Sequence, residues 1–179
     1  MTATRKQKKI YCFDTSAFLA LSRTDERVIK IDDAVWKHIE KMMKGVGVIS
    51  HRIVFDEIMS GTKNSPFIVR WIKDKRSYFL PKSDAQISRV PDIVQRFPDL
   101  IDYGRESEQA DPWLIALAIE KSKEENLFEI CVSLVVSQEN PNSSKKIPAA
   151  CKYFRIQHRS LREFFDEIGL STKLQKKNG

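Results

Sequence analysis

Ile10-Tyr11-Cys12-Phe13-Asp14-Thr15-Ser16-Ala17-Phe18-Leu19 decides how the rest of the chain is read. Its first four residues form a short apolar run of the kind that builds a buried strand. The run ends on an acid, and a helix-forming stretch from about Ser16 to Ser22 follows. In a parallel α/β sheet, ligands bind beyond the carboxyl ends of the strands. An Asp at this point therefore faces a crevice. Three further acids occupy comparable places. Glu57 lies in a helix-like stretch with Ile53, Val54 and Ile58, Asp111 opens Asp111-Pro112, and Glu139 follows the apolar run Ile130 to Val136. Taken singly, each has a structural explanation: an N-cap, a helix start with proline, a solvated helix face, a loop glutamate. Taken together, they are carboxylates that one fold can bring together, and such a cluster is stable at neutral pH mainly around a hard oxygen-loving cation.

Outward from this stretch, strands and helices alternate. Ile31 to Met43 carries apolar residues at helical spacing and ends at Gly45 and Gly47, and Val46 to Ile49 reads as a second strand. Ser50 is placed to cap the helix that carries Glu57, which should stop at Gly61. Helices are predicted from Phe67 to Lys75, and from Asp84 to Phe97 with a break at Pro91. After a polar loop from Asp99 to Gln109, a strong helix runs from Asp111 to about Glu125. Ile130 to Val136 is a third buried strand and 138–146 a loop. Ile147 to Phe154 is a short helix, Arg155 to His158 an edge strand and Leu161 to Ile168 a last amphipathic helix. This alternation predicts an α/β fold, a three-layer α/β/α sandwich with a mostly parallel central sheet.

Composition narrows the class. A chain of 179 residues with 41% hydrophobic and 31% charged residues suits one globular domain. The expected division is a basic tail over 1–9, one domain over 10–170 and a basic, frayed tail over 171–179. No apolar stretch reaches membrane-span length and none follows the basic start as a signal peptide would, so a cytoplasmic location is expected. Cys12, Cys131 and Cys151 are an odd number without CxxC spacing and read as free thiols. The net charge of +7 is unevenly spread. Residues 1–9 hold four bases and no acid, and residues 145–179 hold nine bases against three acids, which leaves a mildly acidic body. Basic ends around an acidic site suit a polyanion, and equally a solubilising role.

The joint pattern resembles the PIN-domain nuclease family. The resemblance rests on Tyr11 to Leu19, Glu57-Ile58-Met59-Ser60-Gly61, Ala110-Asp111-Pro112-Trp113-Leu114-Ile115-Ala116-Leu117-Ala118 and Val135-Val136-Ser137-Gln138-Glu139. Lys145-Lys146-Ile147-Pro148-Ala149-Ala150-Cys151 and Leu161 to Leu170 are similar to a bacterial and archaeal branch long known as a domain of unknown function. It spans residues 10 to about 170. The family implies metal-dependent cleavage of RNA, a toxin role within a toxin–antitoxin pair, and a homodimer. Carried over by position, Asp14, Glu57 and Asp111 match acids that hold Mg²⁺ or Mn²⁺, within reach of one metal site. Ser16 matches the small hydroxyl residue near the first acid. The family's fourth acid is variable, often an Asp after a strand, and Glu139 is its candidate here. Lys145 and Lys146 are candidate contacts to substrate phosphates, or else a solvated loop pair.

The alternatives are specific. A catalytically weak PIN-fold module that binds RNA or a protein would share every feature except turnover. A haloacid-dehalogenase-like phosphatase needs a second Asp two residues after the first, where Ser16 stands. Gly45-Val46-Gly47 lacks the third glycine of a dinucleotide loop, and the six glycines form no P-loop. His38, His51 and His158 read as structural or surface residues. Trp36, Trp71 and Trp113 read as packing anchors.

Overall fold

The computed structural model describes residues 6–22, 33–61, 65–124 and 129–170. Among these residues, five parallel strands form one sheet: β1 (Lys6–Phe13), β2 (Val48–His51), β3 (Phe79–Leu80), β4 (Glu129–Val136) and β5 (Gln157–Arg159). Their order is β3-β2-β1-β4-β5, so the strand that delivers Asp14 is central. β1 and β4 pair along their whole length, from Lys6 beside Glu129 to Phe13 beside Val136. That register sets Asp14 and Ser137 side by side at the carboxyl edge.

Among the described residues, eight α-helices lie between and after the strands: α1 (Thr15–Ser22), α2 (Asp33–Lys44), α3 (Arg52–Ser60), α4 (Pro66–Lys73), α5 (Asp84–Arg96), α6 (Ala110–Lys121), α7 (Ile147–Tyr153) and α8 (Leu161–Glu167). Successive strand residues point to opposite faces, and the sheet is covered on both. On one face Tyr11 and Phe13 each meet the ring of Phe164 in α8 at 4.9 Å, and Phe13 meets Phe18 of α1 at 5.3 Å. On the other, Ser133 of β4 donates to the Ala118 carbonyl of α6 at 2.5 Å. α6 is buried almost all round, from Pro112 to Ile119, which marks an internal helix, and Ala110, Ala116 and Ala118 let it lie close to the strands. The result is the three-layer α/β/α sandwich with a parallel sheet that the strand–helix alternation predicts. Trp36 and Trp113 are buried, and Trp71 packs 4.6 Å from Trp36. Cys12 and Cys151 are buried free thiols, and Cys131 is half-buried.

Several local readings change. β1 begins at Lys6, inside the expected basic tail, because its backbone pairs with β4 back to Glu129. The cap of α3 is His51, whose Nδ1 accepts from the Ile53 amide at 3.2 Å. Ser50 is instead a strand residue donating to the Phe13 carbonyl at 2.6 Å. Pro91 does not break α5: it stands on the helix's exposed side, where water can take the carbonyl it leaves unpaired. The two-residue β3 is too short to announce itself by alternation. The expected tail over 171–179, the start of the second helix at Ile31 and the end of α6 near Glu125 lie outside the described residues.

α2 closes with paired bonds, Gly47 to the Met42 carbonyl at 2.8 Å and Val46 to the Met43 carbonyl at 3.1 Å. This ending demands one left-handed residue. The residue that adopts it is Val46 (φ 57°), neither of the glycines beside it, although a branched side chain is strained there. Val46 is 47% exposed, so its side chain contributes little packing in return. Val46→Gly is therefore expected to stabilise the chain by about 1 kcal/mol, roughly 2–4 °C in Tm, measured by thermal or urea unfolding.

Candidate functional site

The carboxyl edge of the sheet collects the acids. Asp14 follows β1 directly, is only 4% exposed and caps α1. One of its oxygens, Oδ2, accepts from the Ser16 amide at 3.0 Å and the Ser16 hydroxyl at 2.5 Å. Ser16 Oγ in turn accepts from the Gln138 amide at 3.0 Å, which links the β1 and β4 edges. The other oxygen, Oδ1, is the one buried side-chain polar atom without a hydrogen-bond partner among the described residues. Leaving such an atom bare costs stability, and in native proteins it calls for an explanation such as a bound ion or a catalytic role.

Glu57 does not lie on a solvated face. It turns inward from α3, where Oε2 accepts from Thr15 Oγ1 at 2.5 Å and Oε1 accepts from the Ala110 amide at 3.1 Å. The second bond caps α6, whose preceding residue Gln109 offers no side-chain cap. Glu139 does the same for α7: Oε2 accepts from the Ile147 amide at 2.8 Å. Its own amide donates to Ser137 Oγ at 3.3 Å. Asp111, half-buried in the first turn of α6, completes the group. Thus three of the four acids each spend one oxygen on the amino end of a helix, where the backbone amides and helix dipole favour negative charge.

The four acids sense one another. Burial pushes the Asp111 carboxyl well above the usual carboxylate range, and the charges of Asp14, Glu139 and Glu57 push it further. Burial raises Asp14, against the lowering hydrogen bonds from Ser16. Glu57 is raised by burial and by the charge of Asp14, against its bonds from Thr15 and Ala110. Glu139 is raised by burial and by Asp14, against its bond from Ile147. Among the described residues, Arg105 acts in the opposite sense on Glu57, and Lys146 on Asp111 and Glu139. Lys146 Nζ is held by the Asp99 carbonyl at 2.6 Å, and Lys145 lies 3.5 Å from the Asp99 carboxylate.

The sequence expects Asp14, Glu57 and Asp111 within reach of one ion. Among the described residues, no three His, Cys, Asp or Glu side chains are arranged to hold a metal ion. The donor chemistry is nonetheless that of a hard cation: all-carboxylate, with a buried oxygen lacking a partner. Mg²⁺ keeps several waters and is usually bound through one or two carboxylates, so a closed cage is not its usual site. The histidines stand apart. His51 is buried, its pKa pushed down to about 4 mainly by burial, and its Nε2 lies 3.2 Å from Gln86 Oε1. His158 Nε2 lies 2.9 Å from Ser137 Oγ. Thr15, Arg105 and the Ala110 amide escape sequence reasoning. Of the three, only Thr15 lies within a motif the sequence singles out, Asp-Thr-Ser.

Residues 11–172 match the model of the family described as "Domain of unknown function (DUF4411)". The chain belongs to that family. No curated protein matches it. Among solved structures, the crystal structure of FitAcB from Neisseria gonorrhoeae is similar at 13% sequence identity, with a TM-score of 0.49, covering 85% of this chain and 98% of that chain. A likeness that distant says nothing of activity or partner. For this member of the family, no helix among the described residues is long and apolar enough to cross a membrane.

Crowding like charges costs stability, and the sign is open to measurement. A carboxylate raised in the folded state destabilises it above the raised pKa, and the penalty is relieved as pH falls through that value. Asp111→Asn is expected to raise Tm in EDTA at pH 7 by about 2–4 °C, on the order of 1 kcal/mol. The gain should shrink towards pH 4, where protons neutralise the native carboxylates as well. Adding Mg²⁺ should raise Tm of the native chain more than that of the variant.

Proposed function

We propose that this chain is a metal-dependent endoribonuclease of the PIN type. The observation that carries the reading is the bare buried oxygen of Asp14 among four carboxylates that burial pushes up, with the charge of Asp14 adding to the rise at Glu57, Asp111 and Glu139. The PIN resemblance of Tyr11–Leu19 and Ala110–Ala118 supplies the substrate class. Asp14 Oδ1, Asp111 and the free side of Glu139 would hold Mg²⁺ or Mn²⁺, with Glu57 organising the entrance of α6. The cation, when bound, supplies charge neutralisation and an activated water for attack on phosphorus. The chain's own residues do the rest. Ser16 and its amide fix the Asp14 carboxylate through Oδ2 and leave Oδ1 unbonded. Thr15 and Ala110 fix Glu57. Lys146, and Lys145 beside it, offer positive charge to the RNA phosphates, and basic residues at both chain ends favour a polyanion.

The family resemblance extends the reading to a toxin held by an antitoxin protein, acting as a homodimer in the cytoplasm. A second reading, a PIN-fold module that binds RNA or a partner and cleaves weakly, is favoured by one observation: no three ligands are preassembled among the described residues. One experiment separates the two. The purified chain is incubated with a mixed RNA substrate in Mg²⁺ or Mn²⁺ and in EDTA. Cleavage that needs the metal and falls at least about 100-fold in Asp14→Asn supports the nuclease. Ser16→Ala should cost about 10–100-fold, because it loosens a ligand without removing it. Cleavage that survives Asp14→Asn unchanged sinks the nuclease reading, and RNA binding without turnover supports the module.

A further inference from the structure

Past the end of β4 the chain is held by three successive amides. The Ser137 amide donates to the Arg159 carbonyl at 3.1 Å, the Gln138 amide to Ser16 Oγ at 3.0 Å and the Glu139 amide to Ser137 Oγ at 3.3 Å. The first tie comes from β5, and the second from the hydroxyl that also holds Asp14. The third is made inside the segment: a serine bonded to the amide two residues on forms a local turn. This turn delivers Glu139, whose carboxylate reaches the Ile147 amide at 2.8 Å. It is only as firm as the Ser137 hydroxyl.

Ser137 is fully buried, and its hydroxyl has one hydrogen to place. Its hydroxyl partners among the described residues are the Glu139 amide, which can only donate, and His158 Nε2 at 2.9 Å. A buried hydroxyl hydrogen needs an acceptor. Ser137 therefore donates to Nε2, and the neutral ring carries its proton on Nδ1. With the hydrogen committed to the ring, a lone pair of Oγ is left for the Glu139 amide. His158 lies on β5 beside Val135 of β4 and is half-buried. Its surroundings favour the neutral form that this bond needs. Burial lowers its pKa most, the charge of Glu163 in α8 raises it, and Arg159 lowers it.

We propose that His158 is a positioning residue of the acidic site, acting from β5 through Ser137 to set Glu139 for a divalent cation. Without the ring, the Ser137 hydroxyl is free to turn and the Glu139 amide loses its fixed acceptor. The role rests on the metal-dependent reading of the site, and its test separates the two.

The full chain is titrated with Mn²⁺, free Mn²⁺ being read by electron paramagnetic resonance, and the imidazole nitrogens are read by ¹⁵N NMR. At pH 7 the native His158 Nε2 should show the shift of an unprotonated nitrogen, and Ser137→Ala should move it. His158→Ala should weaken Mn²⁺ binding about ten-fold, as loss of a ligand's support does. His158→Gln, whose side-chain oxygen can replace Nε2 as the acceptor, should stay within about three-fold of native. Ser137→Ala should cost about as much as His158→Ala, and the double variant no more than either, because the two act in series. As pH falls from 7 to about 5.5, native affinity should drop more steeply than that of His158→Gln. A protonated imidazole cannot accept, a glutamine does not titrate, and the carboxylates common to both chains cancel in the ratio.

Native affinity in His158→Ala, additive losses in the double variant, a His158→Gln as weak as the Ala variant, or a protonated Nε2 in the native chain overturns the positioning role. Each of these leaves the nuclease reading to its own cleavage test. Where His158→Ala does not fold, the native tautomer and the pH ratio for His158→Gln decide. A native chain that binds no Mn²⁺ overturns the nuclease reading, and the role of His158 with it.

Discussion

Like charge gathered at the carboxyl edge of a parallel sheet is the constraint around which this molecule is arranged. Burial pushes Asp14, Glu57, Asp111 and Glu139 all upward, the charge of Asp14 adds to the rise at the other three, and the fold offsets part of that cost with helix amino ends. Asp14 caps α1, Glu57 caps α6 and Glu139 caps α7. Each cap satisfies an amide that no helical carbonyl can reach and places a negative charge where the helix dipole welcomes it. The caps are also structural ties. Glu57 joins α3 to the internal helix α6, and Glu139 joins the end of β4 to α7. The acids are therefore held by the same bonds that close the layers over the sheet.

That double use explains why each acid taken singly looks structural. A carboxylate has two oxygens, and the helix end takes one. At Asp14 the division is complete: Oδ2 accepts two bonds from Ser16, while Oδ1 is buried with no partner. A purely structural Asp would have no reason to bury an oxygen bare, because the desolvation is not returned by any hydrogen bond. The choice between a cap and a ligand is thus a false one here. Histidine follows a different logic. His51 is buried and neutral over the ordinary pH range, and its bonds to Ile53 and Gln86 serve packing around α3.

Much of this was legible along the chain, for reasons tied to particular residues. Ile10 to Phe13 and Ser133 to Val136 are buried on both faces, and the strands that end in them read as nearly continuous apolar runs. α6 shows its burial from Pro112 to Ile119 as unbroken apolar character. β3 did not show, because two residues carry no period. Pro91 misled, because its cost depends on which side of the helix meets water. Ser50 misled as well, since a serine before a helix is a good cap only when the strand before it has ended. Val46 could not have been foreseen at the left-handed position with glycines on both sides.

The sequence by itself determined the alternation of strands and helices, the central place of the Asp-Thr-Ser stretch and the identity of the four acids. Side-chain periodicity and residue chemistry are local properties, and a single chain displays them. Only the tertiary structure decided that Asp14 spends Oδ2 and leaves Oδ1 bare, while both oxygens of Glu57 are bonded. It decided that Thr15 and a backbone amide hold Glu57. Those facts depend on the β3-β2-β1-β4-β5 order and on pairs of residues up to 122 positions apart, such as Ser16 and Gln138. Hydrogen bonds across such separations leave no trace in local spacing, because they form only once the sheet has brought its strand ends together.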